Sequence, residues 1–208
     1  MTANNRSNYA RTKYEMAPEF LRHDQAEMIR RFSLAHNDAF LFLTFLGRRC
    51  RIDRSTGAVC WSDDGFRTVH DADFNVVMTI YDVLCNAKPG CRLSGDWGST
   101  AGLSTVQGGS LQKSGDFFQN AAAELGGDLD RFCRACEALG GQPVPEGDTA
   151  YELALLPFLP VRLRFWTADE DFPASLQIFV DRNTLDYMHY ETLMFAISHL
   201  LERLKQAA

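Results

Sequence analysis

The sequence predicts a single α+β domain in which helices pack against an antiparallel sheet built from hairpins. Strand-like segments follow one another across short turns, and the helical segments lie in separate blocks between them. The pattern lacks the alternation of single strands with single helices that marks a parallel sheet. With 208 residues and an apolar fraction of 46%, the chain is long and apolar enough to bury a core without disulfides.

The first 13 residues are polar and rich in Asn, which predicts a loose tail at 1–13 and one domain at 14–208. This segment has no apolar stretch like that of a signal peptide, so we expect a cytoplasmic protein. Asp24 followed by Glu27 has the spacing of a capping box, and helical spacing continues through Phe32. The sequence therefore predicts that the first helix begins just after Asp24.

A meander of three short strands is predicted next. Residues 39–46 are apolar on both faces, as in a strand covered on both sides. After tight turns, residues 49–53 and 58–61 form the second and third strands. Apolar residues at helical spacing then predict an amphipathic helix over 74–85.

Residues 90–114 are rich in Gly and Ser and contain few apolar residues, which predicts a long irregular loop. Two short helices are predicted over 116–125 and 128–139, because a Gly-Gly pair follows each of them. The last predicted helix covers 191–204 and has one apolar face.

The C-terminal third contains the clearest strand pattern. Buried-type residues alternate with Arg162 and Arg164, so one face of this strand is expected in the core and the other in water. By the same parity, Trp166 faces outward beside the two arginines. One antiparallel sheet is predicted to include four segments: Phe40–Leu46, Tyr151–Leu155, Val161–Trp166 and Leu176–Val180.

The charge balance argues against nucleic acid and anionic membranes as partners. The formal net charge is −6, and the basic residues are scattered rather than clustered. The longest apolar run, residues 39–46, is far too short to span a bilayer.

Six cysteines are present, and without an export signal we expect reduced thiols. Cys133 and Cys136 share one helical face, and Cys85 with Cys91 can complete a four-thiolate site for zinc or an iron–sulfur cluster. The alternative is core packing, because apolar residues share that face and free cysteine packs like a small hydrophobe. We favour packing and predict metal-free cysteines.

The strongest site candidates lie at the end of a strand and in the Gly/Ser stretch. Trp166 is followed by a run of acidic residues that includes Asp169 and Glu170. Trp97 sits among Gly, Ser and Asp, so its indole must dock elsewhere or stack on a ligand. We predict a small-molecule pocket lined by Trp97, Trp166, Asp169 and Glu170, with the guanidinium groups of Arg162 and Arg164 nearby. The alternatives are an acidic hairpin turn and a plain surface loop.

Further candidates surround the start of the last helix. Tyr187, His189, Tyr190 and Glu191 can form an acid/base relay, line a pocket for a planar cofactor, or simply cap the helix. Asp181 ends the preceding strand and is included among the ligand-binding candidates.

The C-terminal third resembles an uncharacterised bacterial and archaeal domain-of-unknown-function family, common in anaerobes and sometimes fused to iron–sulfur modules. The resemblance is good over about 140–204 and looser upstream, where Leu46-Gly47 and the helix at Phe74 fit. That family does not require the Cys133 and Cys136 pair. It implies a fold unit without an established activity. Six segments carry it: Ala138–Gly141, Gly147–Asp148, Leu155–Pro160, Trp166–Pro173, Phe179–Asp181 and Tyr187–Glu191.

Three functions remain open from the sequence. The first is a protein that binds a small molecule or cofactor of unknown identity, with a role in anaerobic metabolism implied by the resemblance alone. The second is an enzyme that uses carboxylates among Asp169, Glu170 and Glu191 for acid/base chemistry. The third is a metal or redox protein that uses the cysteines. The sequence identifies no cofactor, reaction or oligomeric state.

Overall fold

The computed structural model describes residues 13, 15–103, 118, 120–125, 127–147 and 149–208. Within these ranges the chain forms two antiparallel five-stranded sheets and several helices. Sheet A has the order β1-β2-β3-β4-β5, formed by Ala35–His36, Phe40–Phe45, Arg48–Asp53, Val59–Ser62 and His70–Asp71. Sheet B has the order β6-β10-β9-β8-β7, formed by Trp97–Ser99, Ser175–Asp181, Leu159–Trp166, Thr149–Leu156 and Gln142–Val144. The helices are α1 Gln25–Phe32, α2 Phe74–Asn86, α3 Ala121–Glu124, α4 Leu129–Ala138 and α5 Tyr190–Ala207.

The chain is a single α+β domain, as the sequence predicts. Both sheets and helices α2, α4 and α5 contribute to one cluster of buried apolar side chains. Helix α5 packs against α2 and α4, and its side chains Leu193, Ile197 and Leu200 are fully buried. In the described ranges, no helix has the length and apolar character needed to cross a membrane.

The prediction of one sheet containing all four segments is wrong. Strand β2 belongs to sheet A, whereas β8, β9 and β10 belong to sheet B. Alternation shows which side of a strand is buried but does not identify its partner strand. The sheets meet where the backbone N–H of Leu46 donates to the carbonyl of Leu155 at 3.0 Å.

The Gly/Ser stretch is more regular than the sequence predicts. Trp97–Ser99 forms β6, which pairs with β10 at one edge of sheet B, and Thr100–Gly102 forms a 3-10 turn. Trp97 therefore lies on an edge strand and not in an irregular loop. Residues 104–117, with the glycines at 108 and 109, lie outside the described residues, as do residues 1–12 of the predicted tail.

Local signals predict the starts of α1 and α4 correctly. Asp24 caps α1 by accepting the N–H groups of Ala26 and Glu27 at 2.9 and 3.1 Å. Asp128 caps α4 in the same way, through the N–H of Arg131. These caps depend on neighbouring residues only, which is why the sequence reveals them.

Candidate functional site

The outer face of sheet B carries most of the predicted site residues. Burial alternates along β9. Arg162, Arg164 and Trp166 are partly exposed, whereas Val161 and Leu163, the residues that precede the two arginines, are fully buried. This alternation confirms that the two arginines and Trp166 face away from the core.

Arg162 is held by three side chains of the protein itself. Its guanidinium carbon lies 3.9 Å from the centroid of the Trp97 ring, a stacked cation–π arrangement. It donates from Nε to Glu152 at 2.8 Å and from Nη1 to Glu146. The charge of Arg162 is therefore matched by two carboxylates of its own sheet and adjoining turn.

Arg164 is held in a similar manner. Its guanidinium stacks over Phe179 at 4.7 Å and donates to Glu146 at 2.9 Å. Gly147 makes this approach possible, since a Cβ there would lie 2.9 Å from Cδ of Arg164. Glu146 thus bridges Arg162 and Arg164. These contacts hold both arginine side chains in place on the outer face of sheet B.

The structure separates Trp97 from Trp166. Trp97 pairs with Asp181 at one end of β10, and Trp166 pairs with Ser175 at the other end. Six positions along an extended strand correspond to about 20 Å. The expectation that the two indoles line one pocket is therefore wrong. The reason is that β6 pairs with the C-terminal end of β10, whereas Trp166 lies beside its N-terminal end.

A groove of about 600 Å³ lies at the Trp166 end of sheet B. We call it the hairpin groove, because it lies against the turn that joins β9 and β10. The indole Nε1 of Trp166 is buried and has no hydrogen-bond partner among the described residues. Phe172 is 70% exposed, which is unusual for a phenylalanine. The groove is lined by Trp166, Thr167, Asp169, Phe172, Pro173, Ser175 and Gln177.

Asp169 shapes the hairpin that borders this groove. Its Oδ1 accepts the N–H groups of Asp171 at 2.9 Å and Phe172 at 2.7 Å, which forms an Asx turn. The predicted partner Glu170 is exposed at the tip of the turn and does not line the groove. The structure therefore brings together Trp166 and Asp169, and leaves Glu170 in solvent.

Asp181 is a buried structural carboxylate. It accepts the N–H groups of Ser94 at 3.0 Å, Gly95 at 2.7 Å and Asn183 at 2.8 Å. Burial alone would raise the pKa of Asp181, but these hydrogen bonds outweigh burial and hold it below its usual value. Asp181 therefore fastens the segment before β6 to the end of β10.

His189 is paired with a carboxylate that the sequence reasoning missed. Asp82 on α2 is only 5% exposed and accepts both the backbone N–H and the Nδ1 of His189, each at 2.7 Å. The imidazole itself is 67% exposed. Glu191 lies exposed in the first turn of α5. The signal for Asp82 was available, since it is a carboxylate inside an otherwise apolar helical stretch.

The buried carboxylate of Asp82 orients the imidazole of His189. Burial raises the pKa of Asp82, while hydrogen bonds from the His189 backbone, Thr192 and Asn86 lower it, and the lowering prevails. Asp82 therefore stays ionised and orients the exposed ring through Nδ1, leaving Nε2 toward solvent.

Five of the six cysteines lie in or against the hydrophobic core of the described residues. All six are free thiols, and no three His, Cys, Asp or Glu side chains in the described part of the chain come together as a metal-binding group. Cys136 is fully buried against the core, and Cys133 packs beside it. Burial raises the pKa of the Cys50 and Cys85 thiols to about 12. This environment agrees with core packing.

A second cavity, of about 450 Å³, lies between α2 and the helical residues 15–20. Its walls include Ala17, Leu21 and Val77. The Lys13 ammonium group at its rim contacts Asp71 and donates to the carbonyl of Ala72. The walls of this cavity are therefore mostly apolar, and the ammonium group of Lys13 at its rim already contacts other groups of the protein.

A family model matches residues 24–203, which is most of the chain. The protein belongs to the family described as Domain of unknown function (DUF3786). Membership confirms the resemblance and extends it upstream to residue 24, so both sheets of the DUF3786 domain are included. The expected bacterial or archaeal origin, abundance in anaerobes and iron–sulfur fusion stay predictions. No curated protein and no solved structure matches the chain.

Proposed function

We propose that this DUF3786 protein binds a small organic cation in the hairpin groove. The observation that carries the proposal is the lining of this groove, where the side chains of Trp166 and of the 70% exposed Phe172 lie beside the carboxylate of Asp169. A large exposed aromatic side chain next to a groove is unusual on a protein surface and marks a place where a ligand can pack.

The lining of the groove favours a cationic ligand over an anionic one. Among the described residues that line it, Asp169 alone carries a charge. The nearest guanidinium on the same face, that of Arg164, is already paired with Glu146. Aromatic rings beside a carboxylate are a common setting for organic cations, which the ring faces attract.

The size and polarity of the groove suit a planar ligand with a hydrogen-bond acceptor. A volume of about 600 Å³ falls in the range of small-molecule sites. Trp166 and Phe172 supply flat apolar contacts, while Thr167, Ser175 and Gln177 supply polar contacts. A planar cation that carries a carbonyl group would use both kinds of contact.

Binding can be tested with 1-methylnicotinamide, a planar cation with an amide, against its neutral analogue 3-methylbenzamide. Proton–nitrogen NMR resolves the indole N–H signals of the three tryptophans. We expect 1-methylnicotinamide to shift the Trp166 signal in a saturable manner and 3-methylbenzamide to bind more weakly. Equal affinity for the two compounds, or no saturable shift of the Trp166 signal, would contradict the proposal.

Two matched variants locate the charge that matters. Asp169→Asn retains Oδ1 and hence the Asx turn but removes the charge, and it should weaken binding about tenfold. Glu170→Gln removes a charge from the adjacent exposed position and should leave the affinity unchanged within about twofold. If both variants weaken binding equally, the effect is a general loss of negative potential and the groove assignment fails.

An acid/base enzyme is the second candidate, and the Asp82–His189 pair favours it. An exposed imidazole with a buried carboxylate on Nδ1 has the arrangement of a general base and its orienting residue. Hydrolysis of an activated ester, such as p-nitrophenyl acetate, tests this ability. His189→Gln should lower the rate, while His36→Gln removes another exposed imidazole and should have little effect. Equal rates for both variants would exclude a special role for the pair.

A further inference from the structure

A third groove, of about 270 Å³, lies where sheet A meets the turn between β8 and β9. It is separate from the hairpin groove, since Phe158 precedes β9 and Trp166 ends it. Arg49 on β3 lines one side of it. We propose that this groove, here called the Arg49 groove, binds a small planar carboxylate.

The wall of the Arg49 groove is a column of aromatic rings. Phe32 and Phe158 stack at 4.6 Å with an interplanar angle of 21°. Phe158 stacks in turn on Tyr187 at 6.0 Å. Phe42 lines the groove from β2. Stacked rings hold one another in place, so the wall is already ordered for a flat ligand.

The guanidinium of Arg49 is the charged feature of this groove. Arg49 is exposed, and no ion pair with any residue in the described ranges engages it. Some other arginines have such partners, for example Arg48, which approaches Asp63 at 3.7 Å, and Arg162, which contacts both Glu146 and Glu152. The guanidinium carbon of Arg49 lies 5.8 Å from the centroid of the Phe66 ring, a distant cation–π contact with a residue outside the groove lining. No carboxylate in the described ranges neutralises its charge, which lies beside an apolar wall.

The aromatic wall and the guanidinium of Arg49 together favour a planar carboxylate as the ligand. A guanidinium binds a carboxylate through two parallel hydrogen bonds, and a flat apolar body attached to that carboxylate can lie on the rings. The hydroxyl groups of Ser33 and Thr44 also line the groove and can hydrogen-bond an anion. The small volume limits the ligand to about one ring with a short acidic side chain.

The experiment uses phenylacetate as the probe and phenylacetamide as its neutral analogue, each titrated into the full chain by calorimetry. The wild type should bind phenylacetate in a saturable manner below about 10 mM and bind phenylacetamide at least about tenfold more weakly. Absence of phenylacetate binding, or equal binding of both compounds, overturns the proposal.

Variants on one strand give the matched comparison. Arg49→Gln should weaken phenylacetate binding about tenfold. Arg51→Gln is the control, because Arg51 occupies the same strand and face and also contacts Phe66, at 4.8 Å, but stacks on Phe40 at 4.5 Å and does not line the groove. It should change the affinity by less than about twofold. An equal loss in both variants overturns the proposal by assigning binding to the whole sheet face. Asp169→Asn should leave phenylacetate binding unchanged, which separates this result from that of the hairpin groove.

Discussion

The carboxylate of Asp82 holds the start of α5 from a position 107 residues earlier in the chain. One oxygen accepts the backbone N–H of His189 and the other accepts its Nδ1, both at 2.7 Å. His189 is the N-cap residue, yet its own side chain caps no N–H of the helix. The N-cap residue of α5 is therefore held by a carboxylate of α2, and this contact ties the last helix to the middle of the chain.

Replacing Asp82 with Ala should lower the free energy of unfolding by about 2 kcal/mol. The variant leaves the backbone N–H of His189, the residue just before α5, and the buried Thr192 hydroxyl without their acceptor. Urea denaturation followed by circular dichroism measures the loss. Asp186→Ala is the control, because it removes only the exposed ion pair to Lys88 and should cost less than about 0.5 kcal/mol. Similar losses in both variants would show that capping by Asp82 contributes little.

Asp181 should make stability depend on pH in the acidic range. Its folded-state pKa is below the unfolded value, so its contribution is complete above the unfolded pKa of about 3.9 and is lost as pH falls through the folded pKa. Denaturation midpoints measured from pH 7 down to pH 2 should fall more steeply for the wild type than for Asp181→Asn. The variant should also be less stable at pH 7, where its amide replaces an ionised acceptor of three backbone N–H groups. Parallel pH profiles would contradict this role.

The sequence predicts those features that depend on near neighbours. Asp24 and Asp128 indicate helix starts because a cap bonds to residues two or three positions ahead. The outward direction of Arg162 and Trp166 follows from the two-residue period of a strand. Both results need no knowledge of distant parts of the chain.

Features that depend on distant partners escaped prediction. The division into two sheets is determined at contacts such as Leu46 with Leu155, which alternation cannot reveal. Strand β6 has three residues, too few for a pattern, and is ordered by pairing with β10. Of the candidate site, Trp166 and Asp169 lie together because one turn joins them, whereas Trp97 and His189 have partners that only the fold brings near.

Glu146 should couple energetically to Arg164. The two side chains are one-quarter to one-third exposed and 2.9 Å apart, so solvent screens their attraction only in part. A double-mutant cycle with Glu146→Gln and Arg164→Gln should give a coupling free energy of about 0.5–1 kcal/mol. A cycle on the exposed helical pair Glu27 and Arg30 serves as the reference and should give about 0.3 kcal/mol. Coupling at Glu146 no larger than the reference would show that the bridge is not a stabilising element.

The thiols should differ in reactivity according to burial. Cys50 is 1% exposed and its pKa is raised to about 12, so at pH 8 only about one molecule in ten thousand carries the reactive thiolate. Cys136 is fully buried, and burial raises the pKa of its thiol as well, so it should also react slowly. Cys60, Cys85, Cys91 and Cys133 are all half-buried, but burial also raises the pKa of Cys85 and Cys91, so Cys60 and Cys133 should be alkylated first. Iodoacetamide labelling of the native protein, with mass spectrometry of the peptides, measures the order. The same labelling in urea is the control, because it should modify all six cysteines. Fast native labelling of Cys136, or its protection by added zinc, would favour the metal or redox function, since a thiolate is the form that binds metal.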